Sequence, residues 1–282
     1  MFSSFKRPYM VRDVHHYCSP SVFLSLIKNK ELWLTSLSQS NDLLEGTWML
    51  RHWLEKFNSS DPKQRLRRRG AQLSVESILH HNVALGVCFS EESDLLSQWR
   101  GYAQDGSGFS VTFDKAKLQR FAADFDGGTP LALSKIAYGY KDLERTNDVV
   151  RLLHGAFGAD ADKYQEGKDG FGSMSLEFTP EKHRQQREAA RSLFSVKNEA
   201  FAEEKEWRLF VFDSIDSIKS VEFRESRNVL SPFIRVRIPT DVVLGVTLGP
   251  TNRTPISMVE AALKVHNIDG WVARSNASYR NS

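Results

Sequence analysis

The sequence predicts an α+β fold: a single domain over residues 1–282 with a mixed sheet at its core and peripheral helices. Three observations predict it. Helical and strand-like segments are interleaved without the regular βαβα alternation of a doubly wound sheet, the last third is rich in strands, and neither an internal repeat nor a linker divides the chain. Of the 282 residues, 40% are hydrophobic and 26% charged, which is the make-up of a folded domain with a sizeable core and sets aside disorder and fibrous repeats.

Taken in order, Ser19-Pro20 places a capping hydroxyl before a proline suited to the first helical position, and Val22, Phe23, Leu26 and Ile27 recur at helical spacing up to Asn29. Residues 31–35 (ELWLT) read as a strand. Asn41-Asp42 cap a second helix, with Glu45 three residues on as a capping box requires and Trp48, Leu50, Trp53, Leu54 and Phe57 as its apolar positions. Residues 63–70 (KQRLRRRG) form the densest basic run, which is either a solvated helix face or a phosphate contact. Residues 84–89 are a continuous apolar run, expected as a buried strand that delivers Ser90 to its end.

Residues 92–102 read as helix, 105–108 (DGSG) as a turn, and Phe109, Val111 and Phe113 alternate as a strand before Asp114 caps another helix. Residues 131–140 form a plausible strand. The polar, glycine-dotted stretch 141–172, around one short helix, reads as an insertion or mobile loop, and 141–196 as a whole as an inserted mobile or helical segment. Residues 180–194 are strongly helical, with a cationic face of His183, Arg184, Arg187 and Arg191. Strands follow at 207–212, 221–224, 234–238 and 242–248, then a helix capped at Thr254-Pro255 and a last strand at 271–275.

Composition narrows the function. No segment approaches the roughly 18 apolar residues of a membrane span, and the opening MFSSFKRPYMVRD has no apolar signal region, so a cytoplasmic protein with no membrane partner is expected. Cys18 and Cys88 lie in different segments without metal-ligand spacing and are expected as thiols, with no metal site. The net charge is only +3, so any attraction to nucleic acid must come from local patches. The common phosphate-loop, dinucleotide, zinc-protease and serine-hydrolase motifs do not occur.

Three clusters can carry chemistry. His15-His16-Tyr17-Cys18-Ser19 stands at a strand-to-helix junction, where the hydroxyl and imidazole serve either as a cap with a satisfied histidine or as a ligand site. Phe89-Ser90-Glu91 is followed by Gln98-Trp99-Arg100-Gly101-Tyr102, in which Trp99 and Tyr102 share a helix face and suit core packing as well as a site. Glu204 and Glu206 precede the apolar strand; in an extended segment their carboxylates point to one side, and Arg208 continues the alternation as an available partner.

The segments HHYCS, SVFLSLIKNKELWLTSL, NDLLEG, VCFSEESDLLSQWRGYA, GSGFSVTFD, AFAEEKEWRL and VTLGP resemble, in this order, the bacterial family of the domain of unknown function twenty-nine seventy-one. The opening His-Tyr-x-Ser and the helix after it are further similar to the first strand and helix of ADP-ribosyltransferases, including the DNA-modifying toxins and RNA phosphotransferases. That resemblance implies a split, mixed sheet of ADP-ribosyltransferase type and NAD as a substrate. By motif, it assigns His16 and Ser19 to the adenosine ribose and the nicotinamide amide and puts Ser90 at the central strand. Glu206 becomes the catalytic glutamate, with Glu204 as its partner. Tyr17 and Tyr102 compete for the aromatic place beside the nicotinamide, with Trp99 among the contacts and Arg100 and Arg208 as candidates for the pyrophosphate. The middle motif is Phe89-Ser90-Glu91 where the superfamily has Ser-Thr-Ser.

The residue types suit that chemistry. Breaking the nicotinamide–ribose bond passes through an oxocarbenium-like state that one carboxylate stabilises, while a second can position or deprotonate the acceptor. The expected function is therefore ADP-ribose transfer from NAD to a macromolecule, most simply RNA or DNA given the basic segments and six tryptophans. By analogy this implies a toxin in phage defence or a toxin–antitoxin pair, with a cognate neutralising protein. The alternatives are a non-catalytic nucleic-acid or partner-binding module on the same scaffold, and a metal-dependent nuclease using Asp42, Glu45 and Glu206.

Overall fold

The computed structural model describes residues 13–39, 45–58, 60–166, 172–174, 179–226 and 228–279. The chain opens with β1 (Asp13–Cys18), α1 (Pro20–Asn29) and β2 (Glu31–Ser36), then α2 (Trp48–Leu54), α3 (Pro62–His81), β3 (Val83–Ser90) and α4 (Leu96–Tyr102). Next come β4 (Phe109–Asp114), α5 (Lys115–Ala123), β5 (Ala132–Lys135), β6 (Ala137–Tyr138), α6 (Leu143–Ala161), β7 (Tyr164–Glu166) and β8 (Gly172–Met174). The last third holds α7 (Pro180–Ser192), β9 (Val196–Lys197), β10 (Glu206–Asp213), β11 (Glu222–Ser226), β12 (Val229–Arg237), β13 (Val243–Leu248), α8 (Ile256–Val265) and β14 (Trp271–Arg274).

Local chemistry explains the boundaries. The Ser19 hydroxyl accepts from the Val22 amide ahead of Pro20, as its sequence position demands, and α1 stops at Lys30 in the left-handed conformation. Asp61, Asp114 and Thr179 cap α3, α5 and α7 in the same way. The helix after Thr254-Pro255 begins at Ile256 with no side-chain cap. The cap expected at Asn41-Asp42 lies outside the described residues.

The fold is α+β around a mixed sheet of ten strands. Its main path runs β11-β12-β2-β3-β1-β4-β13-β14, with β10 on the far side of β3 and β5 beyond β10. Among the described residues, pairing within this sheet is antiparallel except between β13 and β14. Alternation along each strand feeds two cores. Leu85, Val87, Leu209 and Val211 meet α1, α5 and α8 on one face; Phe210 and Phe212 meet α2, α3, α6 and α7 on the other.

Two expectations change here. The stretch 141–172, read as an insertion or mobile loop around one short helix, is mostly the 19-residue helix α6, whose Val149, Leu153, Phe157 and Ala161 are buried in the second core beside α3 and α7. Its apolar residues recur at helical spacing among many polar ones, and overall polarity concealed that stripe. The strand expected over 131–140 is two short strands interrupted at Ile136, whose N–H donates to the Glu206 carbonyl (2.9 Å).

Because Phe157 is fully buried between helices, Phe157→Ala is expected to destabilise the protein by about 3–5 kcal/mol, measured by urea unfolding. A mobile insertion predicts a change near zero.

Candidate functional site

The sheet divides at β3. One side of this strand is paired with β10 along its whole length, from Val83↔Asp213 to Ser90↔Glu206. The other side is shared: β2 pairs at Leu85 and Gly86, and β1 pairs only at Ser90. Between these ladders, residues 87–89 face a gap, and a cleft of about 640 Å³ opens there with Gly86, Val87, Cys88 and Phe89 as its floor. His16, Tyr17 and Ser19 line one wall, Trp33, Thr35 and Arg224 the opposite wall, and Tyr102, Glu204 and Glu206 its end. That volume lies within the range of small-molecule sites.

A buried charge network forms that end. Arg208, 1% exposed, donates from Nη2 to Glu45 Oε2 (2.8 Å) and Glu206 Oε2 (3.0 Å), from Nε to Glu206 Oε1, and from Nη1 to Glu45 Oε1 and the Phe194 carbonyl. Lys197 donates to Glu204 (2.7 Å) and Glu206 (3.2 Å). The Tyr102 hydroxyl donates to Glu204 Oε1 (3.3 Å), and the Tyr138 hydroxyl accepts from the Glu206 amide (2.7 Å). Gly46, directly after Glu45, is at φ +71°, and a β-carbon there would collide with the Phe194 ring, so the turn that delivers Glu45 favours glycine.

The two glutamates part company in acidity. Burial alone would raise the Glu206 carboxyl, but Arg208 and Lys197 outweigh it and hold the group at about 2. Burial raises Glu204 and Lys197 only partly offsets it. Glu45 is likewise raised by burial against the pull of Arg208. The carboxylates meet differently from the expectation of strand alternation. Glu204 ends a 3₁₀ turn and Lys205 is left-handed (φ 44°), so Lys197 bridges the pair and the pleat does not.

His16 donates from Nδ1 to the Cys88 carbonyl (2.9 Å) across the gap, and burial lowers its pKa, so the ring is neutral and Nε2 carries a lone pair. His15 is on the opposite side of β1, bonded to Thr112 Oγ1 and pushed down to about 4 by burial. The two tyrosines separate clearly. Tyr17 is buried with its ring against Trp99 and its hydroxyl satisfied by the Glu92 carbonyl and the Leu95 amide, whereas Tyr102 is 40% exposed.

Four expected site residues sit elsewhere. Trp99 is fully buried with Nε1 donating to Asp94, a core position that its helix face equally predicted. Ser90 is the strand partner of Glu206, but its hydroxyl donates to the Glu204 carbonyl and accepts from the Glu92 amide, off the cleft lining. Arg100 is exposed beside Asp105 and outside the lining. Arg208 is no free phosphate ligand, since Glu45 and Glu206 take its guanidinium and water cannot reach it.

Sequence reasoning did not single out Lys197 or Glu45 as members of the charge network, or Arg224 as a residue of the cleft wall. The basic run lies on α3, where Arg67 pairs with Asp162 while Lys63, Arg65 and Arg69 are exposed. On α7, Arg184 pairs with Glu181 and Arg187 with Asp213, while Arg191 stacks on Phe210. Of the nuclease set, Asp42 lies outside the described residues, and Glu45 and Glu206 hold a guanidinium between them. Among the described residues no helix is long and apolar enough to cross a membrane.

Residues 98–209, from the α4 cluster to the start of β10, match the family described as "Protein of unknown function (DUF2971)". That span contains Tyr102, Lys197, Glu204, Glu206 and Arg208. No curated protein and no solved structure matches the chain.

The ion pairs make stability depend on pH with a definite sign. Glu206 is held at about 2 against an ordinary 4.5, so its contribution is full above about pH 4.5 and is lost as the pH falls toward 2. Glu206→Gln leaves Arg208 and Lys197 undercompensated and is expected to cost about 3–5 kcal/mol at neutral pH. In thermal melts from pH 7 to pH 2, the difference between wild type and Glu206→Gln is expected to shrink below pH 4.5; a constant difference speaks against the ion-pair assignment.

Proposed function

We propose that this protein is an ADP-ribosyltransferase that cleaves the nicotinamide–ribose bond of NAD in the cleft and passes ADP-ribose to a macromolecular acceptor. The observation that carries the reading is the pair of glutamates at the cleft end, bridged by Lys197, with the Glu206 pKa lowered by Arg208 and Lys197 and the Glu204 pKa raised by burial. Paired carboxyls whose environments drive their acidities apart are how one site divides charge stabilisation from proton transfer.

In this reading Glu206 accepts the ribose 2′-hydroxyl and faces the oxocarbenium-like centre as nicotinamide departs with the bonding electron pair. Glu204 takes the proton of the acceptor nucleophile as the new bond to the ribose forms. With every member ionised, Glu45, Glu204 and Glu206 outnumber Lys197 and Arg208 by one negative charge, which favours the cationic nicotinamide ring and the cationic transition state. The neutral His16 offers Nε2 to a ribose hydroxyl, and the exposed Tyr102 ring suits the nicotinamide face. The gap between β1 and β2 supports a split sheet of ADP-ribosyltransferase type. Lys63, Arg65 and Arg69 favour a nucleic-acid acceptor, and such an activity fits a toxin restrained by a neutralising partner.

A second reading is favoured by one observation. Both Glu206 oxygens already receive cation hydrogen bonds, as a non-catalytic scaffold needs.

The test is a paired assay with NAD, following nicotinamide release and acceptor labelling, on proteins shown by circular dichroism to be folded at the assay temperature. Glu206→Gln is expected to lower nicotinamide release by about 10²–10³-fold. Glu204→Gln is expected to impair labelling of RNA or DNA more than hydrolysis of NAD to water. Wild-type protein that releases no nicotinamide, with Glu206→Gln altering stability alone, supports the non-catalytic scaffold.

A further inference from the structure

We propose that the cleft wall built by β2, β11 and β12 is a phosphate-binding subsite, with Arg224 as its cation and Trp33 as a second donor. It rests on the transferase reading in taking the ligand to be the pyrophosphate of NAD; the anion preference itself follows from the wall. Arg224 and Trp33 both line the cleft, and Arg224 Nε and Trp33 Nε1 are buried with no hydrogen-bond partner among the described residues. Two desolvated donors left unsatisfied on one wall are costly unless an acceptor arrives.

The charges around them sharpen the choice. On the same wall Glu222 pairs with Arg235 (2.6 Å), and Glu31 stands 3.9 Å from Arg237. Arg208 and Lys197 are held by carboxylates at the cleft end. Among the described residues, Arg224 is therefore the cation of the cleft lining without a carboxylate partner. Its guanidinium lies over the Trp33 and Phe233 rings (5.8 and 6.0 Å to the centroids), which fixes the fork, and Trp33 is itself stacked on Phe233 (4.8 Å, 23°). Register adds hydroxyls. Ser231 is directly opposite Arg224 and Ser226 is two residues along β11, so all three project on one face, and both serines line the cleft. A fixed guanidinium fork flanked by hydroxyls and an indole N–H matches phosphate oxygens.

This placement separates the ligand's parts. Phosphates sit against the β2–β11–β12 wall, and the scissile bond reaches across the β3 floor to Glu206. It also replaces the two pyrophosphate candidates that sequence suggested, Arg100 and Arg208.

Isothermal titration of the full chain with ADP-ribose, inorganic pyrophosphate and phosphate-free adenosine tests the subsite. Wild type is expected to bind ADP-ribose and pyrophosphate. Arg224→Gln is expected to weaken both about tenfold or more, with an unchanged melting temperature and no comparable loss for adenosine, and Arg224→Lys to recover part of the affinity. The proposal is overturned if wild type binds neither phosphate probe, if Arg224→Gln binds both as tightly as wild type, or if adenosine weakens by the same factor. The transferase reading fails separately. Arg224-dependent phosphate binding without nicotinamide release sinks that reading and leaves the subsite standing, whereas NAD turnover with an unchanged KM in Arg224→Gln sinks the subsite and leaves the transferase.

Discussion

The site depends on one buried guanidinium. Arg208 sits inside the sheet on β10, where an isolated charge would cost several kcal/mol of desolvation, and it is tolerated because Glu45, Glu206 and the Phe194 carbonyl accept its donors together. These acceptors come from three places: the turn before α2, the strand itself and the turn after α7. Satisfying one cation thus pins two helix-bearing segments to the central strands. It also orients the Glu206 carboxylate at the cleft end, since Arg208 donates to both of its oxygens.

The second constraint is geometric. A strand has two edges, and β3 gives one wholly to β10 while dividing the other between β2 and β1. Two antiparallel ladders on one edge must leave unpaired strand between them, and His16 spans that opening by donating to the Cys88 carbonyl. The cleft is therefore a consequence of strand pairing, and it reaches the glutamates because β10 enters the sheet at Glu206, opposite Ser90. Arg224 belongs to the far wall for the same reason, since β11 and β12 extend the β2 side of the split.

Much of this was legible in the sequence where local chemistry decides. Ser19-Pro20 announced a cap, residues 84–89 a buried strand, and Glu204-Lys205-Glu206 a carboxylate pair before an apolar strand. The failures were cases where a partner distant in sequence decides. Lys197 is an ordinary lysine until folding sets it against Glu204 and Glu206, and Glu45 reads as a capping residue until Arg208 arrives beside it. Arg208 looked available because an alternating strand puts it beside Glu206; nothing local says that α2 and α7 cover that face. Helix α6 was read as one short helix in a mobile stretch because its core stripe is thin against a polar background, and its packing against α3 and α7 is not visible locally. Trp99 and Tyr102, one helical turn apart, illustrate the limit most sharply: the same spacing puts one in the core and the other at the cleft.

In the proposed reading the cluster does more than stabilise the fold. A buried ion cluster adds little net stability by itself, since apolar residues of similar volume often serve as well. Here three carboxyls meet two cations, and Glu204, which shares Lys197 with Glu206, is the one bonded to a tyrosine exposed at the cleft. Desolvation raises that carboxyl at the place where a ligand would remove still more water, while Glu206, two residues on, stays charged because Arg208 and Lys197 both hold it. The same residues that secure the fold thus set two carboxyls with opposite shifts in acidity side by side, and this is the asymmetry that the proposed glycosidic cleavage and transfer would use.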